Sequence, residues 1–169
     1  MHIANLNLGG GLGVDYANPN ENPIASFEEY FKLINENLIV APGQNVHFEP
    51  GRAIVAQCGH LISRVLYVKV GQKKKFAILD AGMNDLIRPA LYQAHHAIEN
   101  LTSTSKRRMR YDVVGPVCES SDQFGKNIIL PQTSRGDLIA LHTAGAYGQV
   151  MAMNYNQRDI AKAYYSDEL

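Results

Sequence analysis

The run Val46-His47-Phe48-Glu49-Pro50-Gly51-Arg52 fixes how the rest of the chain is read. A short apolar strand leads into a turn that brings an acid, a glycine and a base together. Pro50 sets its own φ and biases Glu49 toward extended backbone. Gly51 can take φ > 0 and lets a ligand come close to the main chain. Successive N–H groups in such a turn form a concavity that suits phosphate. By itself the same run also describes a surface turn with an incidental ion pair.

Upstream, Ile3 to Leu8 alternates as a strand and runs directly into Gly9-Gly10-Gly11-Leu12-Gly13. Such glycines let backbone N–H groups meet an anion without Cβ obstruction. No Gly-Lys-Ser/Thr follows, and the loop does not open a helix as GxGxxG does, so neither nucleotide motif is present. A flexible turn is the plain alternative. Asp15 to Pro23 is loop. Ser26 with Glu29 predicts a capping box, and Phe27, Tyr30, Phe31, Ile34 and Leu38 then recur on one helical face as core. Pro42-Gly43 breaks the chain before the Val46 strand. The order is strand, glycine loop, helix, strand, turn. That is α/β, with both candidate anion loops after the C-terminal ends of strands, where such folds bind ligands. A chain opening on a strand with no run-in reads as one that begins within a domain.

Downstream the texture changes to mainly β. Ala53–Val55, Leu61–Val70 and Phe76–Leu79 are β-rich, with Gly71 to Lys75 as a hairpin tip. Asp80 to Asp85 is loop, and Asp85 is expected to cap a helix running to about Glu99, with Pro89 in its first turn. On that helix Arg88 and Tyr92 are expected to share a face. His95 and His96 read as surface residues, not a metal site, because no third ligand lies nearby. Asn100–Arg110 is a polar loop. Tyr111–Val117, Ile128–Leu130 and Leu138–Leu141 are further strands, with Gly136-Asp137 as a turn. Cys118-Glu119-Ser120-Ser121-Asp122 and Gly145-Ala146-Tyr147-Gly148 punctuate them. The tail from Tyr155 mixes strand-like and polar residues.

The 169 residues hold 46% hydrophobic and 19% charged side chains, so the chain is globular. Sixteen basic and sixteen acidic residues cancel, leaving no basic field for nucleic acid or an anionic membrane. Lys106-Arg107-Arg108 is most simply a solvated loop. No apolar run is long enough to span a bilayer, and the N-terminus lacks the regions of a signal peptide. Cys58 and Cys118 could pair, but without an export signal reduced thiols in a cytoplasmic protein are expected.

Five segments now stand in order: GGGLG at 9–13, EPGR at 49–52, DAGMNDLIRPALY at 80–92, CESSD at 118–122 and GAYG at 145–148. Their order and spacing closely resemble the C-terminal half of the diaminopimelate decarboxylases, pyridoxal-phosphate enzymes built from an alanine-racemase-like barrel and a β-domain. DLIRPALY with GPVCESSD separates the resemblance from the related ornithine and arginine decarboxylases. It implies residues 1–52 as the last part of a (β/α)8 barrel. Residues 53–169 would be a β-sandwich or β-barrel domain with a helix near 85–99, the chain's end packing back on the barrel.

The resemblance also implies roles. Gly9, Gly10, Gly11 and the EPGR backbone, Gly51 included, would hold the phosphate of pyridoxal phosphate. Glu49 would face the pyridine nitrogen, favouring the protonated ring. Arg52, also beside the cofactor, would join Arg88 and Tyr92 in binding the amino-acid substrate, guanidinium suiting carboxylate better than ammonium. Cys118 would return a proton to the carbon that loses CO2, and Glu119 would bind the distal ammonium. In the family this Cys-Glu loop enters the partner subunit's site, which implies a homodimer. Tyr147 would complete the phosphate and substrate contacts.

Plainer readings stand beside these. A lone cysteine such as Cys118 can be a small buried hydrophobe, and Cys58 is read that way. Arg88 could only support its helix, and Asp122 is read as a cap or turn residue outside the site. The family's Schiff-base lysine lies early in the barrel, and none of Lys32, Lys69, Lys73 to Lys75, Lys106, Lys126 or Lys162 matches its motif. The chain by itself is therefore expected to be inactive and to need a missing N-terminal barrel half. The function implied is decarboxylation of meso-2,6-diaminopimelate to L-lysine. The alternatives are decarboxylation of another basic amino acid, or a non-catalytic binding or regulatory homologue.

Overall fold

In the computed structural model residues 3–168 are described, and the outermost positions of the two expected domains, Met1, His2 and Leu169, lie outside them. Strands β1 (Asn5–Asn7) and β2 (Asn45–His47) lie parallel, with Leu6 opposite Val46. A parallel pair needs a crossover, and α1 (Phe27–Asn37) supplies it. Glu28 and Glu29 in its first turn favour the helix dipole. The expected capping box does not form. Ser26 Oγ donates to Glu29 Oε2 (2.9 Å), so each side chain satisfies the other instead of a backbone N–H. The aromatic stripe meets β2's end, with Phe31 edge-on to Phe48 at 5.0 Å. No α1 residue is buried, however, so the stripe lines an open apolar groove with Val46 and Phe48 rather than a sealed core.

The EPGR turn continues as a short helix, α2 (Gly51–Val55), followed by a 3-10 turn over Ala56–Cys58. This corrects the expected strand at 53–55. Pro50, at φ −80°, already faces the chain into a helix, and Ala53 and Ala56 are small enough to seat it against the rest of the fold. The β-branched Ile54 and Val55 stay largely exposed and have no say.

The second unit is a six-stranded mixed sheet, in the order β5-β8-β3-β4-β6-β7. Its strands are β3 (Leu61–Val70), β4 (Lys75–Leu79), β5 (Ile98–Asn100), β6 (Arg108–Val114), β7 (Gln123–Pro131) and β8 (Leu138–Leu141). Only β4 and β6 run parallel. The β3–β4 hairpin closes where expected, with Gly71 N–H donating to Lys74 O (2.8 Å). The sheet curls until its ends approach: a Cβ on Gly125 of β7 would sit 3.1 Å from Ile98 of β5. Val65, Leu79, Leu86, Val113, Leu130, Ile139 and Leu141 fill the interior. Each such side chain contributes roughly 1.5–3 kcal/mol by leaving water.

The expected helix from Asp85 to Glu99 is cut to α3 (Arg88–Tyr92), with Pro89 in its first turn. Gln93 ends it in the left-handed region at φ 54°. Asp85 does not cap it but accepts the Gly82 N–H (2.9 Å). What overrides the helical pattern is pairing: Ile98–Asn100 join β8, and Asn100 donates to Thr133 Oγ1 (3.0 Å) and Asp137 Oδ2 (2.9 Å). The tail forms no strand among the described residues. Met153 N–H donates to Asn84 O (3.0 Å), and the Arg158 guanidinium donates to Asp80 O, which straps it to the 80–84 loop. Among the described residues no helix is long and apolar enough to cross a membrane.

Candidate active site

The glycine loop and the EPGR turn are one structure. Leu8 N–H donates to His47 O (3.0 Å) and Glu49 N–H to Gly9 O (2.7 Å), extending the β1–β2 pairing past both strand ends. Gly10 lies so close to Glu49 that an added Cβ would collide with its carbonyl oxygen. Gly9 and Gly11 have φ of +69° and +92°, with open space where a Cβ would project. Gly9 N–H is taken by Asn7 Oδ1 (2.7 Å) and Gly51 N–H by Glu49 O (2.9 Å). Those of Gly10 and Gly11 have no recorded acceptor among the described residues. Asn7 Nδ2 donates to Glu49 Oε1 (2.6 Å) and orients the carboxylate, while Tyr30 Oη ties α1 to Gly10 O (3.0 Å). A glycine cradle beside an oriented carboxylate fits a phosphorylated, protonated pyridine.

Arg52 leaves this turn and lies over the Tyr147 ring, 5.7 Å from its centroid. Two backbone bonds bring Tyr147 there: Ala144 N–H to Gly59 O (2.8 Å) and Gly145 N–H to Ala56 O (2.9 Å). Tyr147 itself holds φ 67°, a conformation uncommon for a bulky residue and kept only where the surroundings dictate it.

Arg88 is buried at 6% exposure, and no carboxylate pairs with it among the described residues. Its guanidinium lies 4.9 Å from the centroid of the Tyr16 ring, and its Nη1 is 3.0 Å from His96 Nε2. His96 Nδ1 is 2.9 Å from His142 O. The expectation that His96 is a surface residue is wrong: it is 1% exposed, whereas His95 is exposed. Truncation of the expected helix at Gln93 turns His96 inward. Arg88 and Tyr92 do not share an environment either, since Tyr92 is 62% exposed.

Burial lowers the His96 pKa from 6.5 to about 4; the bond to the His142 carbonyl opposes this, and the charges of Arg88 and His95 add to it. A folded pKa below the unfolded one means that the unfolded chain takes up the proton first. Stability from neutral His96 is therefore complete above pH 6.5 and is lost as pH falls toward 4. At about 1.4 kcal/mol per pH unit the loss approaches ~3 kcal/mol. Urea unfolding of His96→Gln should accordingly lose less stability than the parent between neutral pH and pH 4, by roughly that amount. Arg88, His95, His142 and Tyr16 face this ring, and all remain in the variant.

Cys118 and Glu119 sit on an exposed loop whose shape Asp122 dictates. Asp122 is 3% exposed, and its carboxylate accepts Val117 N–H (2.6 Å) and Met83 N–H (2.7 Å). It presses so closely on Gly115 that no Cβ fits there. Burial raises its pKa, partly offset by those two N–H bonds. Its role as a turn residue is structural, and larger than the sequence suggests. Asp122→Ala would leave two backbone donors unmet at about 1–3 kcal/mol each. A stability loss of about 2–6 kcal/mol in urea unfolding is expected. Tyr155 Oη donates to Glu119 Oε1 (2.6 Å), and that bond raises the Tyr155 pKa.

The structure thus joins Gly9 to Gly11 with Glu49 and Gly51, and Arg52 with Tyr147. Arg88 comes close to the glycine loop's continuation through Tyr16. Among the described residues no hydrogen bond, ion pair or ring contact links Cys118 or Glu119 to Glu49, Arg52 or Arg88. Cys58 is not the expected buried hydrophobe: it is exposed, with Sγ donating to Val55 O (3.0 Å). Neither thiol is in a disulfide. Among the described residues no cluster of His, Cys, Asp and Glu could hold a metal ion.

Residues 16–145 match the family described as "Pyridoxal-dependent decarboxylase, C-terminal sheet domain". The diaminopimelate decarboxylase of Bacteroides thetaiotaomicron is 60% identical over 167 residues, covering 99% of this chain and 43% of its own length. A crystal structure of a diaminopimelate decarboxylase variant from Helicobacter pylori with L-lysine is 45% identical, with a TM-score of 0.79 over 91% of this chain and 37% of that one. The lysine/ornithine decarboxylase of Vibrio vulnificus, complexed with putrescine, superposes with a TM-score of 0.84 at 25% identity, over 98% of this chain and 44% of that one. The chain spans less than half the length of each.

Proposed function

The chain belongs to the pyridoxal-dependent decarboxylases, whose C-terminal sheet domain it carries, and from that premise we propose that it is the C-terminal portion of a diaminopimelate decarboxylase. The reaction would be loss of CO2 from meso-2,6-diaminopimelate to give L-lysine, within lysine biosynthesis. The observation that carries this reading is Arg88, a buried guanidinium without an acidic partner among the described residues. A substrate with a second carboxylate supplies one. A monocarboxylic substrate such as ornithine leaves that cation unpaired, at a cost of several kcal/mol.

In this reading β1, α1 and β2 end a (β/α)8 barrel, with the domain boundary after Arg52, and the preceding barrel half supplies the Schiff-base lysine. Ile39, 95% exposed, and the open groove beside α1 support further chain packing there. Bound pyridoxal phosphate supplies the electron sink that accepts the electron pair of the breaking C–C bond. Gly10 and Gly11 would offer N–H groups to its phosphate, and Glu49, held by Asn7, would accept from the pyridine N–H. Arg52, braced on Tyr147, takes up carboxylate near the cofactor. Arg88 binds the distal carboxylate, Glu119 pairs with the distal ammonium, and the exposed Tyr92 would reach the substrate from outside the Arg88 pocket. Cys118 Sγ–H donates its proton to the Cα that has lost CO2.

Among the described residues no hydrogen bond, ion pair or ring contact joins Cys118 or Glu119 to Arg88, which supports a homodimer in which each copy completes the other's site. Free thiols at Cys58 and Cys118 accord with a cytoplasmic location. The likeness to the lysine/ornithine decarboxylase favours a second reading, decarboxylation of another basic amino acid. The two separate in an assembled enzyme made by joining this chain behind the preceding portion of the Bacteroides thetaiotaomicron relative. In competition, kcat/KM for meso-diaminopimelate should exceed that for L-ornithine by at least about a hundredfold, the worth of an unpaired buried charge. Equal use of both sinks the substrate assignment.

A further inference from the structure

His96 is buried, contacts the buried Arg88 guanidinium, which has no acid beside it among the described residues, and has no part in the steps above. Its two hydrogen bonds leave no choice of tautomer. A carbonyl oxygen only accepts, so the ring proton is on Nδ1, toward His142 O. A guanidinium only donates, so Nε2 toward Arg88 carries the lone pair. Tyr16 closes the pocket, edge-on to His96 with centroids 5.3 Å apart and its face toward Arg88. Its hydroxyl is sealed from solvent without a partner among the described residues.

We infer that His96 is a positioning residue for substrate selection: with Tyr16, it holds the Arg88 guanidinium so that its remaining N–H groups stand free for the substrate's distal carboxylate. This rests on the decarboxylase reading. An arginine has five donors and a flexible stem. Left alone in a half-dry pocket it would turn toward backbone carbonyls. One neutral acceptor takes a single donor and adds no negative charge. A carboxylate at the same place would hold Arg88 as firmly but would neutralise it and repel an incoming carboxylate. Protonation of Nε2 would set donor against donor, and burial beside Arg88 and His95 keeps the ring neutral through the physiological range.

Two measurements test this. In the 169-residue chain, imidazole nitrogen NMR at pH 7 should show His96 Nε2 unprotonated and Nδ1 protonated, with the Nε2 signal shifting in Arg88→Met. A protonated Nε2, or no response to Arg88→Met, overturns the bond. In the assembled enzyme, normalised to bound cofactor, His96→Ala should raise KM for meso-diaminopimelate at least tenfold and change kcat less than threefold. His96→Gln, whose amide oxygen can accept from Arg88, should recover most of that KM. A merely structural role would lower the yield of folded enzyme and leave KM per cofactor unchanged. An unchanged KM in both variants overturns the proposal. If the unsubstituted assembly does not decarboxylate meso-diaminopimelate, the decarboxylase reading fails and the selection role with it. The NMR spectrum tells that failure apart, since the tautomer would still be seen.

Discussion

Replacing Arg88 by methionine in the assembled enzyme is expected to lower kcat/KM for meso-diaminopimelate by roughly 10²–10³, while the protein becomes no less stable. The two effects come from one cause. Arg88 is buried at 6% exposure and has no acid beside it among the described residues, so His96 and the Tyr16 face compensate its desolvation only in part until a carboxylate arrives. Removing a charged partner from a buried pair costs about 3–5 kcal/mol, which corresponds to two or more powers of ten in rate. Methionine fills similar space with no charge to bury, so thermal unfolding should stay level or rise. Lysine should recover little, because an ammonium lacks the planar fork that one acceptor on His96 can hold in place. Steady-state kinetics beside a melting curve checks both halves. A loss of stability as large as the loss of rate would make Arg88 a structural residue.

The second large effect belongs to Gly145. A Cβ there would run into the Val55 carbonyl oxygen and lie 2.9 Å from Gly59 N and 3.1 Å from Ala56 O. All are backbone, held by the Ala144–Gly59 and Gly145–Ala56 hydrogen bonds, so nothing can swing aside. Gly145→Ala should therefore cost about 3 kcal/mol or more, at the upper end of overpacking effects. For a chain of this length that is a fall in Tm of roughly 6–12 °C. Tyr147 should leave Arg52 in the same variant. Gly13→Ala is the control, because an added Cβ there meets nothing within 4 Å. Thermal unfolding that treats the two alike would refute the crossing.

Much of this architecture can be read from the sequence because it is local. The β-rich composition of Leu61–Val70 and the Gly71–Lys75 tip announce their hairpin, and the glycine and EPGR loops are legible as backbone features that need those residue types. The misreadings share a different cause. The run after Asp85 has helical spacing, but Asn100 is claimed by Thr133 and Asp137, far away in sequence, and the helix stops at Gln93. His96 is missed for that reason. Its neighbour His95 is exposed, and nothing in the local pattern says which of the two points inward. Ala53–Val55 looks like a strand from its β-branched residues, yet Ile54 and Val55 stay exposed, and Pro50 with Ala53 decides for a helix. The family-specific motifs carried the candidate site residues. The partner of Arg88 needed the fold.

The most direct measurement is subunit mixing in the assembled enzyme. Arg88→Met and Cys118→Ala are each prepared as inactive homodimers, then dissociated, mixed and assayed for CO2 release from meso-diaminopimelate. If each site takes Arg88 from one copy and Cys118 from the other, a mixed dimer has one doubly damaged site and one intact site. Two-fold symmetry with random exchange then returns about a quarter of the unsubstituted activity. No recovery above the two parents, in a preparation shown to contain mixed dimers loaded with cofactor, would contradict a decarboxylase site built from Arg88 of one chain and Cys118 of another.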